Sequence, residues 1–295
     1  MEEENRLKET LVAGNGRSVT YIPFEQAGGL ILVTAEVNGS PGSFILDTGA
    51  PRLIINSKYI EKKEDHFLRA EAQGVGGAIT SLDFHPVESF DWQGIRIEAQ
   101  GVILMDLERI EARMERPIHG LIGYDLLKDY DVLLDYDRRE VTLIVPEAFE
   151  AFRQEHLAGT TAETLSFELQ VHLPMVEARI GGETLRMAID SGAETNLVDE
   201  WLYHRLQSEI TETDETELAG ADNQEKVVTL TNIRSMRIGN REYRDLTTVF
   251  SGIGHLEKQL QTRIDGIIGS EILSEQPTLI RYGAQEIWFI ENSKE

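Results

Sequence analysis

The chain contains one unit twice, in the same order, and that restricts it to a fold in which two like halves pack together. Val33-Thr34-Ala35-Glu36-Val37-Asn38-Gly39 is answered by Val176-Glu177-Ala178-Arg179-Ile180-Gly181-Gly182. Phe44-Ile45-Leu46-Asp47-Thr48-Gly49-Ala50 is answered by Met187-Ala188-Ile189-Asp190-Ser191-Gly192-Ala193, again 143 residues on. Further along, His119-Gly120-Leu121-Ile122-Gly123 matches Asp265-Gly266-Ile267-Ile268-Gly269 at a spacing of 146, so about three extra residues lie within the second copy. Asp135-Tyr136-Asp137 and Arg281-Tyr282-Gly283 close the correspondence.

Each copy reads as mostly strand. Val33 to Val37 and Phe44 to Leu46 are short apolar or alternating runs separated by an Asn-Gly turn signal, the pattern of a hairpin. Asn56 and Asp199 stand at equivalent places and are suited to cap short helices, the second running through Trp201, Leu202 and Leu206. Pro146 opens a helix over Glu147 to Leu157, with Phe149 and Phe152 on one face and Gly159 stopping it. The expected division is residues 1–157, an N-terminal lobe with its linker helix, and 158–295, a C-terminal lobe. At roughly 150 residues per domain, the 295-residue length fits two.

Composition narrows the partners. The chain carries 28 basic and 52 acidic residues, a formal charge of −24, which repels phosphate backbones and anionic lipid. No nucleic acid and no integral membrane segment are expected, since no run approaches the ~20 apolar residues of a spanning helix. Cysteine is absent, which excludes disulfides, thiolate nucleophiles and Cys-ligated metal. The seven histidines show no ligand spacing, so no metal and no cofactor are expected. Met1-Glu2-Glu3-Glu4-Asn5 is unlike a signal peptide; a native Met1 implies a cytoplasmic protein, and removal of a signal sequence an exported or periplasmic one.

The repeated tetrapeptide Asp-(Thr/Ser)-Gly-Ala carries the chemistry. An apolar strand delivers Asp47 or Asp190 to a pocket floor, while Gly49 and Gly192 permit a tight turn that brings backbone N–H groups to the carboxylate. In a twofold arrangement the hydroxyls of Thr48 and Ser191 bond across the axis and the two carboxylates meet. Two carboxylates that close share one proton. One then takes a proton from a water held between them, while the other protonates a substrate carbonyl oxygen.

These turns, together with Leu121-Ile122-Gly123 and Ile267-Ile268-Gly269, resemble the two signature elements of retropepsin-like aspartic proteases. The resemblance spans about residues 24–145 and 167–290. It implies a mainly β, two-lobed acid-protease fold built from tandem β-barrel halves, with Asp47 and Asp190 as the catalytic pair. Thr48, Gly49, Ala50, Ser191, Gly192 and Ala193 would support the catalytic turns. It also implies flaps: Gly74, Val75, Gly76 and Gly77 are similar to a retropepsin flap tip, whereas the second copy, Leu218 to Gln224, is more polar and poorer in Gly. Pepsins usually carry Ser or Thr where this chain has Ala50 and Ala193. Without that hydroxyl the singly protonated window moves upward, to a mildly acidic or near-neutral optimum.

The expected activity is peptide-bond hydrolysis at one site between the lobes, acting on an extended peptide or unfolded protein segment, with a monomer sufficing. Ile54, Ile79 and Leu197 are candidates for apolar pockets near the pair. A catalytically silent, protease-like peptide binder or adaptor is the competing class. A carbohydrate-binding β domain is a third, disfavoured by only three Trp and no repeated aromatic platform.

Overall fold

The computed structural model describes residues 12–13, 16–60, 68–74, 77–219 and 225–291. It is mainly β, with one sheet for each repeat and a third shared by both. In the first repeat, Leu30–Val37 and Ser40–Leu46 form an antiparallel hairpin. Its turn residues Asn38 and Gly39 both have positive φ, 49° and 76°, the backbone an Asn-Gly hairpin turn requires. Leu173–Ile180 and Glu183–Ile189 repeat the hairpin in the second copy.

The strand Gly120–Ile122 then slots between Ser40–Leu46, to which it is parallel, and Ile54–Asn56, to which it is antiparallel. Gly266–Ile268 does the same between Glu183–Ile189 and Asn196–Asp199. The insertion needs a glycine at its head. A Cβ on Gly120 or Gly266 would collide with the carbonyl oxygen of Ile54 or Leu197. Each inserted strand leads into a one-turn helix, Tyr124–Leu127 or Ser270–Leu273.

Asn56 and Asp199 do cap helical turns, accepting from the N–H groups of Lys58 and Trp201. Both turns are short 3₁₀ pieces, Ser57–Tyr59 and Glu200–Leu202, so the helix expected to reach Leu206 ends at Leu202. Leu206 is buried from a turn instead. The three extra residues are localised: the caps are still 143 apart, whereas the strand ends Trp92 and Ile238 are already 146 apart. They therefore fall in the segment from the cap through the long hairpin.

The shared sheet has six strands, in the order Ala162–Ser166, Glu286–Ile290, Thr278–Arg281, Asp131–Asp135, Glu140–Ile144, Val19–Pro23. Its centre is the antiparallel pairing of Asp131–Asp135 with Thr278–Arg281, so equivalent strands of the two copies meet at a pseudo-twofold axis. An ion pair, Arg281 Nε to Asp131 Oδ2 at 3.1 Å, reinforces that seam. The linker helix forms as a 3₁₀ turn at Pro146–Ala148 running into Phe149–His156. Phe149 and Phe152 pack against Leu133, Ile144, Leu279 and Ile290 on the shared sheet, each burial contributing about 1.5–3 kcal/mol.

Candidate active site

The inserted strands aim the two Asp-(Thr/Ser)-Gly-Ala turns at each other. Ile122 accepts from the Asp47 N–H at 2.9 Å and Ala50 accepts from Tyr124 N–H at 2.9 Å, pinning the first turn at both ends. Ile268 with Asp190, and Ala193 with Ser270, pin the second at 3.0 and 2.8 Å. Within the first turn, Gly49 N–H and Ala50 N–H donate to Asp47 Oδ1 at 2.9 and 2.8 Å. Within the second, Gly192 N–H donates to Asp190 Oδ1 at 2.8 Å.

One donor serves both halves. Gly49 N–H also reaches Asp190 Oδ1, at 3.1 Å, so the two carboxyl groups meet on a single amide. The closeness explains the glycines: a Cβ on Gly49 would strike the Asp190 carboxyl, and one on Gly192 the Asp47 carboxyl.

Behind the carboxyls the hydroxyls cross. Ser191 N–H donates to Thr48 Oγ1 at 2.9 Å and Thr48 N–H to Ser191 Oγ at 3.1 Å. Each hydroxyl donates onward to a strand-end carbonyl of the other half, Thr48 to Ile189 at 3.4 Å and Ser191 to Leu46 at 2.8 Å. Both side chains are fully buried, so no water competes for these bonds.

Asp47 and Asp190 keep partial exposure. Loss of solvation raises both pKa values above the usual carboxylate range, and for Asp47 the adjacent Asp190 charge adds to it. The pair therefore holds one proton over a span of pH above that of a free aspartate, and its two steps belong to the pair. Tyr136 and Tyr282, equivalent residues of the two copies, are buried nearby; burial and the Asp190 charge raise both phenols, so they stay neutral.

Ala50 is buried and Ala193 half-buried, each beside its turn. Ile54 and Leu197 sit at equivalent places in two small apolar clusters next to those alanines. Each is only 5% exposed and offers a ligand little surface. The side chain of Ile79 lies outside the described residues, as do Val75 and Gly76 of the expected flap tip and residues 220–224 of the second. The strands flanking both tips are described. Leu68–Gly74 pairs with Gly77–Trp92 through Gly74 and Gly77, and Ile210–Ala219 pairs with Glu225–Ile238. The backbone of strand Leu68–Gly74 of the first repeat runs close to that of helix Gly254–Leu260 of the second.

Two contacts across the halves were not legible as motifs. Arg113, on helix Glu108–Met114, pairs with Glu194 at 3.0 Å, immediately after the second turn. His172 Nε2 lies 2.9 Å from the Gly49 carbonyl oxygen in the first turn. Neither residue has a like partner in the other copy, because Glu194 corresponds to Pro51 and His172 to Gly29. A repeat search discards such unmatched positions.

Two like halves joined by a common sheet, each presenting a turn held by an inserted strand, are the architecture of the two-lobed aspartic proteases. A family model described as Aspartyl protease matches residues 33–126 and 176–272, one stretch in each repeat. The chain belongs to that family, in a retropepsin-like tandem form. Among curated proteins, none matches it.

Proposed function

We propose that the chain is an aspartic endopeptidase whose single active site lies between the lobes, with Asp47 and Asp190 as the catalytic pair. The observation that carries this reading is the Gly49 N–H shared by Oδ1 of both carboxyls. A pair that close, partly exposed and holding one proton can grip one water. The ionised carboxylate removes a proton from that water as its oxygen attacks the peptide carbonyl carbon. The protonated carboxyl donates to the carbonyl oxygen, giving a tetrahedral diol. Collapse breaks the C–N bond, and a proton from the pair leaves with the amine. No covalent intermediate forms.

Substrates are extended peptides or unfolded segments, laid between the two long hairpins, and one chain supplies the complete site. The boundary between the units falls at residues 157 and 158, at the end of the linker helix. The test is cleavage of a peptide library by wild type, Asp47→Asn and Asp190→Asn. Cleavage by wild type with a loss of about a thousandfold or more in each variant is expected. Peptide binding without cleavage in all three proteins establishes the silent binder instead.

A further inference from the structure

The two halves differ where each one touches the other's turn. In both copies the loop before the first long strand takes the same left-handed step, at Gly28 with φ 58° and at Val171 with φ 59°. For glycine that step is free. For an exposed, β-branched valine it is strained by about 1–3 kcal/mol. What the strained step carries is His172, where the first copy has Gly29. Gly29 stays in the left-handed region at φ 86°, and a Cβ there would meet Ser270 Oγ at 2.6 Å, whereas His172 leaves that region and its ring reaches the Gly49 carbonyl.

The bond fixes the ring's state. A carbonyl oxygen only accepts, so Nε2 carries the hydrogen. Nδ1 is then bare, and among the described residues it is buried without a partner, in a residue 7% exposed. Protonating it would bury an N–H with no acceptor, and burial accordingly lowers the pKa of the ring. His172 is a neutral, single donor. The carbonyl it holds belongs to the peptide unit whose N–H, from Ala50, donates to Asp47 Oδ1. Gly49 itself supplies the N–H that both carboxyls share. Hydrogen bonding at one end of a peptide strengthens donation from the other.

We propose that His172 is a positioning residue for the dyad: holding the Gly49 carbonyl, it polarises the Ala50 N–H that binds Asp47 and fixes the orientation of Gly49, whose own N–H both carboxyls share. The proposal rests on the peptidase reading for its kinetic consequence, but not for its effect on the carboxyls. Besides each other, those carboxyls face the neutral phenols Tyr136 and Tyr282. Tyr124, whose ring centroid is 6.4 Å from that of His172, is a phenol too, so no fixed charge in this group masks the effect.

The test compares wild type with His172→Phe, which keeps a ring and removes the donor, and His172→Gln, which restores a donor. Carbon NMR of the Asp carboxyls and steady-state kinetics are the two readouts. In His172→Phe the lower titration step of the pair moves up by roughly a few tenths of a pH unit. kcat falls about tenfold with KM within about twofold, and His172→Gln stays near wild type in both. A His172→Phe protein that titrates and turns over as wild type does overturns the proposal. So does one that cannot fold, or equal losses in both variants in step with a lowered melting temperature. If wild type cleaves nothing, the peptidase reading fails while the carboxyl titration still decides the role of His172.

Discussion

Removing the crossed hydroxyls should uncouple the halves, and the two single substitutions should differ. Ser191→Ala strands two backbone groups that have short partners, the Thr48 N–H at 3.1 Å and the Leu46 carbonyl at 2.8 Å. Thr48→Val strands the Ser191 N–H at 2.9 Å and a carbonyl, Ile189, that was bonded only at 3.4 Å. An unsatisfied buried group costs about 1–3 kcal/mol, and both residues are fully buried. Ser191→Ala should therefore cost about 3–4 kcal/mol and Thr48→Val about 2. Against a typical total of about 5–15 kcal/mol those are large losses. Once both hydroxyls are gone the turns can part and admit water, so the double variant should cost about 1 kcal/mol less than the sum. Urea unfolding at constant slope measures all three. A cost below about 1 kcal/mol for Ser191→Ala, or full additivity, would refute the picture of a dry bonded seam.

Two further predictions concern pH. Burial raises both carboxyl pKa values, so the singly protonated pair exists at higher pH than a free aspartate would allow. Activity should peak at mildly acidic to near-neutral pH; a maximum below about pH 3 would contradict the raised values. The second turns on His119, whose Nδ1 accepts from Ser43 N–H at 3.1 Å, as Asp265 accepts from the equivalent Arg186 N–H at 2.8 Å in the other copy. Burial lowers the His119 pKa, offset in part by the Glu111 charge, so the unfolded chain binds its proton first. Stability should fall as pH drops below the ordinary histidine value of about 6.5. His119→Asn, which keeps an acceptor, should flatten the change in urea midpoint between pH 7 and 5, and an unchanged slope would exclude His119 as its source.

The repeat made the architecture legible. Two copies at constant spacing require two like halves, and the strand, turn and inserted-strand pattern in each follows from alternation, Asn-Gly and the paired apolar residues before Gly123 and Gly269. Caps at Asn56 and Asp199 were readable because the side chain acts on its own neighbours. The length of the second capped helix was not: Trp201, Leu202 and Leu206 have helical spacing, yet Leu206 is buried from a turn. The order of the shared sheet was also hidden, because pairing of Val132 with Ile280 depends on how the halves dock. Apolar character alone marked Ile54 and Leu197 as pocket candidates, but it does not distinguish a wall facing solvent from one facing the core. His172 escaped notice because its contact depends on a strained step at Val171, which no sequence pattern encodes.

Joining both halves in one polypeptide has a genetic consequence. In an assembly of identical subunits any change appears on both sides of the axis at once, and the least tolerant side vetoes it. Here position 29 stays glycine while position 172 becomes histidine, and position 119 is histidine while 265 is aspartate. Each half can thus be edited separately, which frees the two sides of the axis to diverge without disturbing the paired turns they share.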